Sequence, residues 1–498
     1  MGRARGTVKP VHRRGQSRHL RFAVIGAGMA GILSAITLEA GGYGDFTVYE
    51  KADRLGGTWR ENTYPGLSCD VPSHLYSYSF APNPDWSHLY SPGDEIQAYL
   101  DKVAADHGVL DRVRFGDEVV RCAYDDGRWH LTTAAGVTDD VDVVIAATGV
   151  LHHPRYPDIP GLDTFEGASF HSARWDHAVD IDGARLGVVG TGSTATQIVS
   201  AVVDRVASLT LFQRTAQWIL PAVNPPYSPE ERRAFREDPA LMEQIRVSVA
   251  ELFDHFSEGI VDAESPEMAL IESFCLDNLE NNVSDPELRE RLRPDYRAAC
   301  KRLIVSTNFY EAIQRPNAHL VTEAIDGVEA AGVRTADGRL HELDVLVLAT
   351  GFVADAFVRP MAVEGRHGVR LADVWRDRPE AYLSISVPQF PNFFMINGPN
   401  GPVGNFSLIS VAELQLGYIM QLVARLGDGS ARAICSSEAA LRRFEADRVK
   451  AAARTIWSTG CRSWYLDDRG IPAAWPWPFG RFRTAMAQPD WDAYELTT

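Results

Sequence analysis

Two glycine clusters carry the most readable chemistry of the chain. Gly26-Ala-Gly-Met-Ala-Gly31 follows the apolar run ending at Ile25 and opens a helical pattern of Ile32, Leu33, Ala35, Ile36 and Leu38. A second apolar run, Phe46-Thr-Val-Tyr49, ends on Glu50. Strand, glycine turn, helix, strand and acid form the unit that binds a dinucleotide. Gly26, Gly28 and Gly31 let the pyrophosphate approach a helix N-terminus, where anions are favoured, and Glu50 takes the adenosine ribose. The unit recurs: Leu186–Val189 leads into Gly190-Thr-Gly-Ser-Thr-Ala195, a helical pattern, and the run Leu209–Phe212. Gly190, Gly192, Ser193 and Thr194 are its pyrophosphate positions. After this strand come Gln213, Arg214 and Thr215, with no acid. A carboxylate repels a 2′-phosphate and an arginine attracts one, so the second site is expected to prefer NADPH.

Between the loops lies Phe165-Glu-Gly-Ala-Ser-Phe-His-Ser-Ala-Arg-Trp-Asp176. Through Phe165, Gly167, His171, Trp175 and Asp176 it resembles the fingerprint of the type I flavin-dependent Baeyer–Villiger monooxygenases. Related flavin monooxygenases that oxygenate nitrogen or sulfur usually lack its Trp-Asp ending. The resemblance runs through nearly the whole chain from about residue 20. It implies FAD at the first glycine loop, and oxidation of a ketone to an ester or lactone with NADPH and O2 through a C4a-peroxyflavin.

Further segments take roles from that resemblance. Gly57, Thr58 and Trp59 match a second flavin-contacting loop, and Tyr64–Asp70, with Ser73, Tyr76 and Phe80 after it, matches the segment lining the flavin ring. Asp70 matches its acid. Of the pair Lys301-Arg302, the arginine matches the catalytic cation over the flavin and the lysine a contact to the NADP phosphate. Two runs end in Ala-Thr-Gly, at Gly149 and at Thr350-Gly351, like the family's returning strands. Asn397 opens a turn bordering the flavin, and Trp464 lies in the segment that closes over NADP. His171 is expected to couple nicotinamide binding to domain rotation rather than act as a general base. The C-terminal pattern is closest to 4-hydroxyacetophenone-type enzymes, which does not carry a substrate class across.

The chemistry explains why these residue types are needed. Attack on a ketone requires the peroxy anion, and a fixed cation stabilises that anion and the oxyanion that follows. Arginine stays charged where lysine can lose its proton, so Arg302 suits the role, with Asp70 orienting it. Bound NADP+ then shields the site from water. Two other readings compete: a heteroatom oxygenase, which needs the protonated peroxide, and an FAD-bearing redox sensor that has lost oxygenation. Arg302, Lys301, Asp70 and Trp175-Asp176 favour the ketone reading.

The elements that must position these groups imply an α/β protein with two Rossmann-like dinucleotide-binding domains. The FAD domain is expected to be discontinuous, over 21–150 and 340–498, with an NADPH domain at 151–339 between its parts. The stretch 225–298, rich in Glu, Arg and Leu, reads as a helical insertion in the NADPH domain. A net charge of −17 argues against a nucleic-acid partner. Six scattered cysteines, none in a C-x-x-C pair, read as free thiols in a reducing cytoplasm. His152-His153 reads as a loop rather than a metal site, and no metal is expected. Residues 1–20 read as a disordered basic tail, and no apolar run is long enough to span a membrane.

Overall fold

The structure, a computed structural model, describes residues 18–404 and 406–498. Two parallel five-stranded sheets organise it. In the first, Phe22–Ile25 lies between Phe46–Glu50 and Val143–Ala146; Val113–Phe115 and Phe393–Met395 form the edges. In the second, Arg185–Val189 lies between Ser208–Phe212 and Val345–Leu348; Ala318–Val321 and Ala168–His171 form the edges. Phe22–Ile25 and Val143–Ala146 are buried at every residue, as parallel strands covered on both faces must be.

The two sheets repeat one design. Each glycine-loop strand is flanked by the strand that completes its nucleotide unit and by a strand running into Ala-Thr-Gly. The contact is so close that only glycine fits. A Cβ on Gly26 would lie 2.6 Å from the Ala147 carbonyl oxygen, and one on Gly190 would lie 2.3 Å from that of Ala349. Both glycines also hold positive φ, +102° and +120°.

This pairing corrects the expected boundary at 340. Val345–Leu348 hydrogen-bonds to Arg185–Val189, so the second Ala-Thr-Gly strand belongs to the second sheet. The first sheet is still built from separate parts of the chain, because Phe393–Met395 returns to pair with Val143–Ala146. Four helices, Pro229–Glu237, Pro239–Val261, Pro266–Asn282 and Pro286–Leu292, occupy the stretch read as a helical insertion. Each begins with proline behind a Ser or Asp cap, a combination that fixes helix starts. They leave the chain after Ile219–Pro221 and return it at Ile304–Ser306, and those two short strands pair in parallel.

Most of the expected basic tail, residues 1–17, lies outside the described residues. Its last part is packed rather than loose: Leu20 is buried in the first core, and Arg18 pairs with Asp142 at 2.7 Å. No helix among the described residues is long and apolar enough to cross a membrane.

Candidate active site

The first glycine loop is held by its own acid. Glu50 is buried; its Oε2 accepts from Ala27 N at 2.8 Å, and its Oε1 accepts from Ala52 N at 2.9 Å and from Arg60 Nη1 at 3.0 Å. Oε2 therefore keeps acceptor capacity for a ribose hydroxyl. Gly57, at φ +56°, packs on Gly28, where a Cβ on Gly57 would come within 3.0 Å of the Gly28 Cα. Gly31 sits beneath, with no room for a side chain against the Gly26 carbonyl. Thr58 opens the short helix Thr58–Glu61 behind Gly57. Trp59 Nε1 donates to the Tyr76 hydroxyl at 3.2 Å, so these two expected flavin contacts do meet. Burial holds the Tyr76 phenol well above its usual pKa.

The residues present fit two dinucleotides. Helices Met29–Ala40 and Ser193–Val202 start behind Gly28 and Gly192 with no side-chain cap and no acid in the first turn. Their first N–H groups are thus available to an anion. Open space lies where a Gly192 Cβ would point. Deeper in the first half, Asn397 takes φ +54° and donates its backbone N–H to Gln415 Oε1 at 2.7 Å. Asn397 Oδ1 and Gln415 Nε2 are buried with no partner, which suits the polar edge of a flavin ring.

Arg302 and Asp70 come together from 232 residues apart. Arg302 Nε and Nη2 both donate to Asp70 Oδ2, at 3.2 and 2.5 Å. Arg302 lies just before the strand Ile304–Ser306, and Asp70 sits in a loop fastened by Cys69 N to Ser91 O and Ser73 Oγ to Ser91 Oγ. The Asp70 carboxylate raises the Arg302 pKa further, against the opposing cost of burial. About a third of the Arg302 side chain, 35%, stays accessible, so the pair leaves one side open to a ligand.

Lys301, in the bend before the strand Ile304–Ser306, has a different neighbour. Its Nζ lies 4.6 Å from the centre of the Tyr296 ring. Burial and the nearby Arg214 guanidinium lower its pKa, partly offset by Asp295. Arg214 is exposed, and neither cation has a carboxylate within ion-pair distance among the described residues. Two neighbouring cations with no ion-paired acid suit a phosphate. Thr215 borders them, its carbonyl accepting from Thr191 Oγ1 at 2.8 Å. Thr194 lies near the start of the helix Ser193–Val202, and on that helix Gln197 Oε1 accepts from the Tyr64 hydroxyl at 2.8 Å. Gln197 Nε2 in turn donates to Ser68 O at 3.0 Å, which ties the helix after the second loop to the segment carrying Asp70.

Of the fingerprint residues, His171 ends the edge strand Ala168–His171 of the second sheet, and Phe165, Gly167, Trp175 and Asp176 flank that strand. Gly167 abuts the Asp344 carbonyl, where a Cβ would come within 2.4 Å, and Phe165 packs on the small core beside it. Trp175 is buried in the second core against Phe170. Asp176 is exposed and accepts from Ala178 N at 2.9 Å. His171 is fully buried; Nδ1 accepts from Ala173 N at 3.1 Å and Nε2 faces the Gly351 carbonyl at 3.1 Å. Both ring nitrogens are occupied by backbone, and burial lowers the pKa, leaving nothing for general-base work. Thr350 Oγ1 donates to Arg155 O at 2.6 Å, so Thr350 and Gly351 fasten the linker rather than face Arg302. Trp464 is 49% exposed and leans on Tyr465 at 4.2 Å.

The free-thiol expectation fails at one pair. Cys300 and Cys461 form a disulfide with Cα atoms 6.2 Å apart; Cys69, Cys122, Cys275 and Cys435 are free and buried. A separation of 161 residues hid the pair, since only the fold brings these two together. Cys300 directly precedes Lys301-Arg302, and Cys461 opens the segment with Trp464 and Tyr465. Gln197 and Gln415 are further groups that no sequence motif singled out for a role.

Residues 19–233 match the flavin-binding monooxygenase-like family. An uncharacterised monooxygenase of Mycobacterium tuberculosis is 48% identical over 474 residues, covering 95% of each chain. A Baeyer–Villiger monooxygenase of Streptomyces coelicolor is 40% identical over 483 residues, covering 96% of this chain and 93% of that one. The structure of cyclohexanone monooxygenase from Rhodococcus sp. Phi1 bound to NADP+ superposes with a TM-score of 0.85 at 31% identity, covering 96% of this chain and 99% of that one.

Proposed function

The chain belongs to the flavin-binding monooxygenases and, within them, to the type I Baeyer–Villiger enzymes, and from that premise we propose how its residues divide the work. The enzyme uses FAD, NADPH and O2 to turn a ketone into an ester or lactone. Flavin, when bound, supplies the activation of O2 with electrons drawn from NADPH. Everything else falls to the protein. Arg302, held by Asp70 with one side open, presents a permanent cation where negative charge develops during oxygen transfer. Lys301 and Arg214 hold the 2′-phosphate of NADPH, and Trp464 covers the coenzyme. Gly26, Gly28 and the start of helix Met29–Ala40 take the FAD pyrophosphate, while Gly192, Ser193 and Thr194 take that of NADPH. Asn397 and Gln415 meet the flavin's polar edge.

One observation carries this reading: the Arg302–Asp70 pair, assembled from the two halves of the molecule, with no carboxylate among the described residues in ion-pair distance of Lys301 or Arg214. Because Arg302 cannot give up its proton, it favours an anionic oxidant and hence a carbonyl substrate over nitrogen or sulfur. A cytoplasmic location is part of the proposal, since NADPH is regenerated there. The test is NADPH consumption with linear, cyclic, aryl and polycyclic ketones, with product mass read alongside. A product one oxygen heavier than the ketone, formed in step with NADPH loss, is expected. Oxygenation of amines and sulfides alone would overturn the reading.

A further inference from the structure

The segment that ends on Asp70 belongs to the first half by chain position and to the second half by packing. Tyr64 is buried in the second core with Ala195, Ile198 and Val199 of the helix Ser193–Val202, and Leu67 packs against the same core. Gly66, at φ +82°, lies flat on that helix: a Cβ there would come 2.6 Å from the Gln197 carbonyl oxygen and 2.8 Å from the Ala201 Cβ. From the other side, Gly93 N donates to Leu67 O at 2.9 Å, and Cys69 N donates to Ser91 O at 3.1 Å. Residues 64–69 are thus a strap between the halves, and Asp70 at its end reaches Arg302.

Gln197 is the side chain that fastens this strap to the helix. Its Oε1 accepts from the Tyr64 hydroxyl at 2.8 Å, and its Nε2 donates to Ser68 O at 3.0 Å and to Ser68 Oγ at 3.3 Å. Both ends of the amide are used, each on a residue of the strap. The Ser68 contact lies two residues before Asp70, and Gln197 stands about one helical turn beyond Ser193-Thr194. A leucine would fill the same space; the paired donor and acceptor hold the strap at one register along the helix.

We propose that Gln197 is a positioning residue for oxygenation, fixing Asp70, and through it the Arg302 guanidinium, to the helix that starts at the coenzyme's glycine loop. The inference rests on the reading of Arg302 as the catalytic cation. Arg302 Nε and Nη2 both end on Asp70 Oδ2, so the place of that oxygen sets the place of the cation. The strap therefore carries position from the coenzyme half to the oxygen-transfer site. Oxygen transfer needs the cation and hydride transfer does not, so the two steps separate when Gln197 is changed.

Gln197→Leu tests this, because it keeps the bulk and the helix and removes only the polar contacts. Ester formed per NADPH should fall about tenfold, with hydrogen peroxide rising to balance. FAD content, the rate of flavin reduction and the Michaelis constant for NADPH should stay near the parent values. Gln197→Glu supplies a signature that lost packing would not. Ionised, its carboxylate faces the Ser68 carbonyl with no proton to donate, and coupling should be as poor as in Gln197→Leu. Protonated, it donates to Ser68 O and accepts from Tyr64. Its coupling should therefore return to within about twofold of the parent as pH is lowered from about 8.5 to about 5.5, while Gln197→Leu keeps its defect. Parent coupling in Gln197→Leu, or a defect in Gln197→Glu that does not change with pH, would overturn the proposal. A rate of flavin reduction that falls as far as the coupling would also overturn it, by placing Gln197 in hydride transfer. Ester formation at the parent rate in Arg302→Ala would instead remove the reading of Arg302 on which the proposal stands.

Discussion

At the end of its second strand the first nucleotide unit carries Glu50, buried and shared among Ala27 N, Ala52 N and Arg60. At the same place the second unit carries Arg214, exposed, beside a Lys301 that also lacks an acid partner within ion-pair distance among the described residues. The strands around them are superposable in design: glycine strand in the middle, Ala-Thr-Gly strand on one side, completing strand on the other. Sheet topology therefore decides where a nucleotide lies, and the residue after the strand decides which nucleotide and how firmly. A buried, ligated acid closes the first loop and suits a resident cofactor. An open pair of cations suits a coenzyme that must come and go.

Breaking the first half should have the largest effect. Glu50→Ala removes three hydrogen bonds at the first glycine loop and one of the two carboxylates paired with the buried Arg60, which keeps Glu61 at 2.9 Å. We expect colourless protein with a lowered Tm, measured by absorbance and thermal unfolding. An FAD-loaded variant with the parent Tm would show that Glu50 does not anchor that loop.

Arg302→Ala acts between the halves. It should cut ester formation ~100- to 1000-fold, roughly 3–4 kcal/mol. Flavin reduction by NADPH should continue, with hydrogen peroxide released in place of ester. Stopped-flow absorbance follows the first and gas chromatography the second.

Acid should sharpen the contrast from the flavin side. His74 is 4% exposed between Tyr227 and Phe235, and burial pushes its pKa down to about 4. The folded state then binds fewer protons than the unfolded chain between that value and the ordinary one near 6.5. The associated stability is complete above pH 6.5 and is lost as pH falls toward 4, by roughly 3 kcal/mol. Urea unfolding of parent and His74→Gln at pH 7 and pH 4.5 measures it. Equal pH dependence in the two proteins would exclude His74 as the source.

The smallest effect is expected from Arg214→Ala, because Lys301 remains. The Michaelis constant for NADPH should rise about tenfold, the value of one charge-assisted contact, while that for NADH should hardly move. Equal use of both coenzymes by the parent would erase the difference between the two loops.

The two glycine units, their strands and their different endings are legible without coordinates, because each lies within about thirty residues and follows from local rules of turn, cap and burial. The same holds for the four capped helices between Pro229 and Leu292. The fingerprint Phe165–Asp176 was equally legible as a motif, but its place was not: His171 and Trp175 hold the second sheet together rather than meeting Arg302. The Asp70–Arg302 pair was expected from the family resemblance and not from any local rule, whereas only the tertiary structure joined Cys300 to Cys461 and moved Val345–Leu348 into the second sheet. These are contacts across 161 to 232 residues or choices between two equivalent sheets. Local sequence cannot encode them, because an apolar strand ending in Ala-Thr-Gly fits beside either glycine loop. Which loop it meets is decided by how the whole chain packs.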